Sequence, residues 1–184
     1  MTGPFDDVVA VFGASGSVPG DGRYEEGERC GRLLASAGLG VITGGYGGIM
    51  EAVSKGASSI GGRVIGVTAP TVFPQRSGGN RYLDEEIPAT SLTDRLHVLI
   101  ERSSASIILS GSLGTATELM VAWNVAFVTG ISGGTPKPVA IVGSEWSQVV
   151  SDLAVRLETD RSLVSEFSDV PSAVDHVVRA LRVG

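Results

Sequence analysis

Ser110-Gly111-Ser112-Leu113-Gly114-Thr115-Ala116-Thr117-Glu118 is the stretch on which the reading of the fold turns. It follows a short apolar run, Ser106-Ile107-Ile108-Leu109, and precedes an amphipathic stretch from Leu119 to Thr129. The spacing predicts a turn between a buried strand and a helix. Such a turn attracts anions, because Gly111 and Gly114 let backbone N–H groups converge and the helix behind adds unpaired N–H groups and the positive end of its dipole. A phosphate is the natural occupant.

Working outward, apolar runs alternate with helical patterns, the sign of strand-helix units around a parallel sheet. Val8-Val9-Ala10-Val11-Phe12 is continuous rather than alternating, as a strand covered on both faces should be. Gly13-Ala14-Ser15-Gly16-Ser17 then forms a turn, and a helix is expected from about Tyr24 to Gly38, burying Gly27, Gly31 and Leu34. Val41-Ile42-Thr43 reads as the second strand. Gly44-Gly45-Tyr46-Gly47-Gly48 makes another glycine turn, followed by a helix with Ile49, Val53, Ala57 and Ile60 at helical spacing. Residues 63–68 give a third strand, and residues 69–90 break the pattern with three prolines, which reads as a functional loop or lid, the alternative being a disordered loop. Ser91 to Asp94 cap a helix with Leu92, Leu96, Leu99 and Ile100 on its apolar side. Pro138 to Val142 form a fifth strand, and helices from Trp146 to about Leu157 and from Ser172 to about Arg182 close the chain. The expectation is an α/β fold: a single Rossmann-like three-layer αβα domain over residues 1–184, with a central parallel sheet of at least five strands.

Composition bounds the function. The 184 residues carry a formal charge of −6 and only 14 Lys and Arg, so a nucleic-acid backbone would find no basic footprint. Cys30 is the single cysteine, which excludes an internal disulfide and a cysteine-rich metal site. The opening Met1-Thr2-Gly3-Pro4-Phe5-Asp6-Asp7 has no basic leader, and no apolar run reaches the roughly 18 residues of a membrane span. A cytoplasmic protein, free of membrane and nucleic acid, is expected. The three glycine turns would share the carboxyl end of the sheet, where open α/β folds bind ligands. Two other chemistries fit poorly. A dinucleotide dehydrogenase wants Gly-x-Gly-x-x-Gly after the first strand and an acidic end to the second, where this chain has Gly13-Ala14-Ser15-Gly16 and Thr43. A pyridoxal-phosphate enzyme needs a Schiff-base lysine, and Lys55 and Lys137 both lie outside any cofactor motif.

Gly44-Gly45-Tyr46-Gly47-Gly48-Ile49-Met50-Glu51-Ala52 resembles the Gly-Gly-x-x-Gly-(Leu or Ile)-Met-(Gly or Glu)-Ala signature of the LOG family, the cytokinin riboside monophosphate phosphoribohydrolases once labelled lysine decarboxylases. Arg95 lies fifteen residues before Ser110, matching an arginine ahead of the family's Pro-Gly-Gly-x-Gly-Thr-x-x-Glu motif, and Glu118 falls on that motif's glutamate. Asn80-Arg81-Tyr82 is similar to an Asn-Pro-Tyr of a longer subgroup. The chain departs in having Ser110-Gly111-Ser112 for Pro-Gly-Gly, and Arg95-Leu96 for an Arg-Lys pair.

The resemblance implies hydrolysis of the N-glycosidic bond of a nucleoside 5′-monophosphate, of AMP or cytokinin riboside type, with no metal or cofactor, by a homodimer. It implies catalytic roles for Arg95 and Glu118. Gly13, Ser15, Gly45, Gly47, Gly48, Gly111, Ser112, Gly114 and Thr115 would hold phosphate and ribose, and Met50 and Asn80 would border the base. Met120, Val121, Trp123 and Phe127 offer an apolar patch for the dimer. The rival from another class is a non-catalytic nucleotide-binding or sensing protein of the same fold. Residue by residue, Thr115 to Glu118 also reads as a capping box, Arg95 as a solvated arginine, Tyr46 and Trp123 as packing, and His97 and His176 as structural.

Overall fold

Seven short parallel strands form one sheet in the computed structural model, which describes residues 6–76 and 78–183. In chain order they are β1 (Val8–Phe12), β2 (Gly40–Thr43), β3 (Val64–Thr68), β4 (Glu85–Pro88), β5 (Ala105–Ile108), β6 (Val139–Val142) and β7 (Val164–Phe167). The helices are α1 (Gly22–Ser36), α2 (Ile49–Ser58), α3 (Leu92–Glu101), α4 (Leu113–Ile131), α5 (Ser144–Leu157) and α6 (Val170–Val183). The expected span of residues 1–184 as one domain reaches beyond the described residues at both ends and at position 77, as does the start of the Met1 to Asp7 stretch.

The sheet order is β4-β3-β2-β1-β5-β6-β7. The chain therefore builds outward from β1 in one direction, then returns to add β5 on its other side. The pairing of Phe12 with Ile108 fixes the register there. Alternation within β1 divides the core: Val8, Ala10 and Phe12 pack with Leu99, Leu119, Trp123 and Trp146, while Val9 and Val11 pack with Leu34, Ile49, Val53 and Val174. Each strand residue of β1 is buried, which requires helices on both faces. On the second of these faces α1 and α2 approach closely. A Cβ at Gly31 would strike the Val53 carbonyl and one at Gly56 the Glu28 carbonyl, so both positions are glycine for contact rather than for conformation.

Several expectations need correction. Residues 69–90 are not wholly irregular, because Glu85–Pro88 pair with β3 as the sheet edge. Its alternating half-buried and exposed residues are those of a strand with one side toward solvent. The other edge, β7, was not foreseen, since Val164-Ser165-Glu166-Phe167 is short and half polar. The helix after the opening motif begins at Leu113, six residues before Leu119. Ile60 lies beyond the end of α2, and Ile60 and Leu92 are about half exposed rather than packed. Ser91 does cap α3, its side chain accepting from the Asp94 N–H at 3.0 Å. Among the described residues no helix is long and apolar enough to cross a membrane.

Candidate functional site

The reversal of strand order between β1 and β5 opens a crevice at their carboxyl ends, and the glycine turns converge on it. Ala14 joins them. Its N–H donates to the Ser110 carbonyl at 3.0 Å, tying the first turn to the third, and its carbonyl accepts from the Ile49 N–H at 2.9 Å, tying it to the second. Gly48 makes the second tie possible. Its φ of 74° suits glycine, and a Cβ there would strike the Ala14 carbonyl and Ser15.

Two buried side chains of opposite charge face the crevice. Arg95 leaves α3 with its side chain 11% exposed, and Glu118 leaves α4 with its own 13% exposed. Arg95 Nη1 stands 3.9 Å from Glu118 Oε1. The arginine is held from behind, with Nε donating to the Val67 carbonyl at 2.7 Å and Nη2 to the Gly44 carbonyl at 2.9 Å. Nη2 also lies 3.7 Å from Met50 Sδ. Glu118 is pushed up to about 7 by burial, which Arg95 opposes. Burial, more than any neighbour, holds Arg95 below its ordinary value. The capping box does not form: Thr115 is the third residue of α4, and the residue ahead of the helix is Ser112, whose side chain caps nothing. The N–H groups of Leu113, Gly114 and Thr115 lack intrahelical acceptors by the geometry of a helix start.

A cavity of about 200 Å³ lies over this pair, lined by Gly13, Ser15, Met50, Phe73, Arg76, Arg95, Ser112, Gly114, Thr115 and Glu118. Eight of the thirteen residues expected at the site are therefore brought together. A second recess of about 400 Å³ adjoins it through the shared Ser15 and Arg76, and takes in Gly47 and Asn80. The structure does not bring Gly45, Gly48 and Gly111 to either cavity. Gly45 packs on Gly66 and Thr68, Gly48 makes the tie described above, and Gly111 packs on Thr115. Asn80 is chiefly a brace, its Nδ2 donating to the carbonyls of Gly45 and Tyr46 and to Ser54 Oγ. Ser112 has φ of −125°, extended backbone open to any residue, so the serine in place of the family's glycine carries no strain.

Three contributors escaped the sequence reading. Ala14 has no polar side chain to mark it. Phe73 and Arg76 lie in residues 69–84, where no periodicity assigns a direction to any side chain. Tyr46 organises them: its ring meets Phe73 edge-on at 5.7 Å and carries the Arg76 guanidinium at 4.4 Å, while its hydroxyl accepts from the Ala69 N–H at 2.7 Å. Tyr46 is thus packed, as is Trp123, whose Nε1 donates to the Asp160 carbonyl. Lys55 pairs with Glu28, and Lys137 donates to the carbonyls of Ile100 and Glu101, both away from the crevice.

Comparison with known proteins agrees with this architecture. A cytokinin riboside 5′-monophosphate phosphoribohydrolase of Mycobacterium tuberculosis is 30% identical over 138 residues, 74% of this chain and 71% of that protein. An uncharacterised protein of Archaeoglobus fulgidus is 37% identical over 101 residues, 54% of this chain; the match spans 63% of that relative, less than two thirds of its length. Among solved structures, a molybdenum cofactor binding protein from Rippkaea orientalis superposes with a TM-score of 0.75 at 22% identity, covering 96% of this chain and 98% of that one, a likeness of fold. The profile of the SLOG cluster4 family matches residues 6–154, which includes all three glycine turns, Arg95 and Glu118. The chain belongs to the SLOG cluster4 family, as a divergent LOG-like protein.

Proposed function

We propose that the chain hydrolyses the N-glycosidic bond of a nucleoside 5′-monophosphate, giving free base and ribose 5-phosphate. The observation that carries this reading is the buried Arg95–Glu118 pair in a cavity that also opens onto the N-terminus of α4. The N–H groups of Gly114 and Thr115 and the helix dipole hold the phosphate, which sets the ribose against Glu118. As the C1′–N bond breaks, its electron pair leaves with the base and positive charge develops on the ribose. The Glu118 carboxylate stabilises that charge and takes a proton from the attacking water, whose oxygen bonds to C1′, while the departing base gains a proton. Arg95, fixed by the Val67 and Gly44 carbonyls, opposes protonation of the carboxylate and holds it in place. Its other donors turn to the main chain, so Arg95 acts on Glu118 rather than on the phosphate.

The same reading has the chain act as one domain, in the cytoplasm, as a homodimer. Val128 and Ile131 are exposed on α4, and Met120, Trp123 and Phe127 line an open apolar recess with Leu157. Light scattering at monomer mass would remove the dimer.

A second reading, a nucleotide-binding or sensing protein without turnover, is favoured by Ser112, which lines the cavity where the family motif has glycine. Release of free base from AMP and from isopentenyladenosine monophosphate separates the two. The native chain should release base, with E118Q and R95A at least a hundredfold slower and still folded. Saturable binding with no release would support the second reading.

A further inference from the structure

The two arginines of the cavity differ in what remains of their hydrogen-bonding capacity. Arg95 gives Nε and Nη2 to main-chain carbonyls and aims Nη1 at Glu118. Arg76 gives none. Its guanidinium lies 4.4 Å from the Tyr46 ring centre and 4.6 Å from that of Phe73, and among the described residues no side-chain or carbonyl acceptor receives from it. Stacking holds the plane of the fork while leaving all five N–H donors available at its edge. The group half-emerges where the two cavities meet, so a ligand in either one passes it.

Charge points the same way. Arg76 adds to the effects that hold Arg95 below its ordinary value, so the two cations feel each other across the cavity. Two guanidiniums face one carboxylate there, in a chain whose net charge is −6. A local positive excess set against the overall charge is the field that a small anion would relieve. The cation lost at Leu96 is thus available from a different element, the connection between β3 and β4.

We infer that Arg76 is the phosphate-recognising cation of this site, clamping the phosphomonoester of the ligand from the side opposite the N-terminus of α4. The inference rests on the reading that the cavity takes a phosphorylated ligand, but not on that ligand being cleaved. Arg76 thereby selects phosphorylated over unphosphorylated nucleosides through a planar, multi-donor contact.

Calorimetric titration of the native chain, R76M and R76K with AMP, ribose 5-phosphate and adenosine tests it. R76M keeps an apolar stem over Tyr46 and Phe73 while removing the charge. It should weaken AMP and ribose 5-phosphate about ten- to hundredfold and leave adenosine unchanged, with R76K recovering part of the loss. Unchanged AMP affinity in R76M, an equal loss for adenosine, or no binding of either phosphate by the native chain would overturn it. Base release is read separately. AMP binding that depends on Arg76 without any release would leave this inference standing and remove the hydrolase reading, and release without that dependence would do the reverse.

Discussion

Arg95 Nη1 stands 3.9 Å from Glu118 Oε1 while Nε and Nη2 of the same guanidinium are held by the carbonyls of Val67 and Gly44. The arginine is thereby fixed at the ends of β2 and β3 and presented to a carboxylate on α4, across the switch point of the sheet. A buried carboxylate opposite a fixed cation has a protonation state that geometry controls.

Activity should depend on pH through Glu118. The functional form is the carboxylate, and burial raises the group to about 7, so kcat/KM for base release should fall about tenfold per pH unit below that value. R95A removes the opposing charge and should move this limb to higher pH. A profile flat from pH 5 to 8 in the native chain would contradict the role given to Glu118.

Stability should respond in the opposite sense. Glu118 holds its proton more tightly folded than unfolded, where the ordinary value is 4.5, so stability falls as pH rises from about 4.5 through 7. E118Q removes that loss. Urea unfolding should find the variant about 1–3 kcal/mol more stable than native at pH 8, less whatever Arg95 loses with its counter-charge, and no more stable at pH 4.

Gly44 offers a test of the arginine without touching it. A Cβ at this position would overlap the Arg95 guanidinium and approach Met50 Sδ at 2.6 Å, while the backbone there has no positive φ to oppose alanine. G44A should cost about 1–3 kcal/mol of stability by overpacking and slow base release at least tenfold. Full activity in a folded G44A would show that Arg95 need not be held where it is.

Ser112 should behave as an ordinary extended residue. Its φ of −125° offers no strain for glycine to relieve, so S112G should lose about 0.5–1 kcal/mol through the freer unfolded chain. A gain in thermal stability would mean that the serine strains the turn after all.

The strand-helix rhythm was legible because buried parallel strands such as Val8–Phe12 are continuous apolar runs and glycines mark their ends. The edges were not, because β4 and β7 carry Glu85, Glu86, Ser165 and Glu166, which dilute any strand pattern. At the site, Arg95, Glu118 and Met50 were marked by motif spacing. Whether a glycine touches ligand or another strand is a matter of packing, which is why Gly45, Gly48 and Gly111 turned out to serve the scaffold. Arg76 lay in a segment where only the burial of Tyr46 and Phe73 beneath it decides its direction.

Cleavage of the glycosidic bond by water is the step on which the proposed function depends. Its most direct test is incubation of the native chain with AMP in ¹⁸O-water, measuring adenine and ribose 5-phosphate together by mass spectrometry. The native chain should give equal amounts of both, with the label entering the sugar product, and E118Q at least a hundredfold less of each. Intact AMP recovered from a protein that demonstrably binds it would contradict the account and leave a ligand-binding protein in its place.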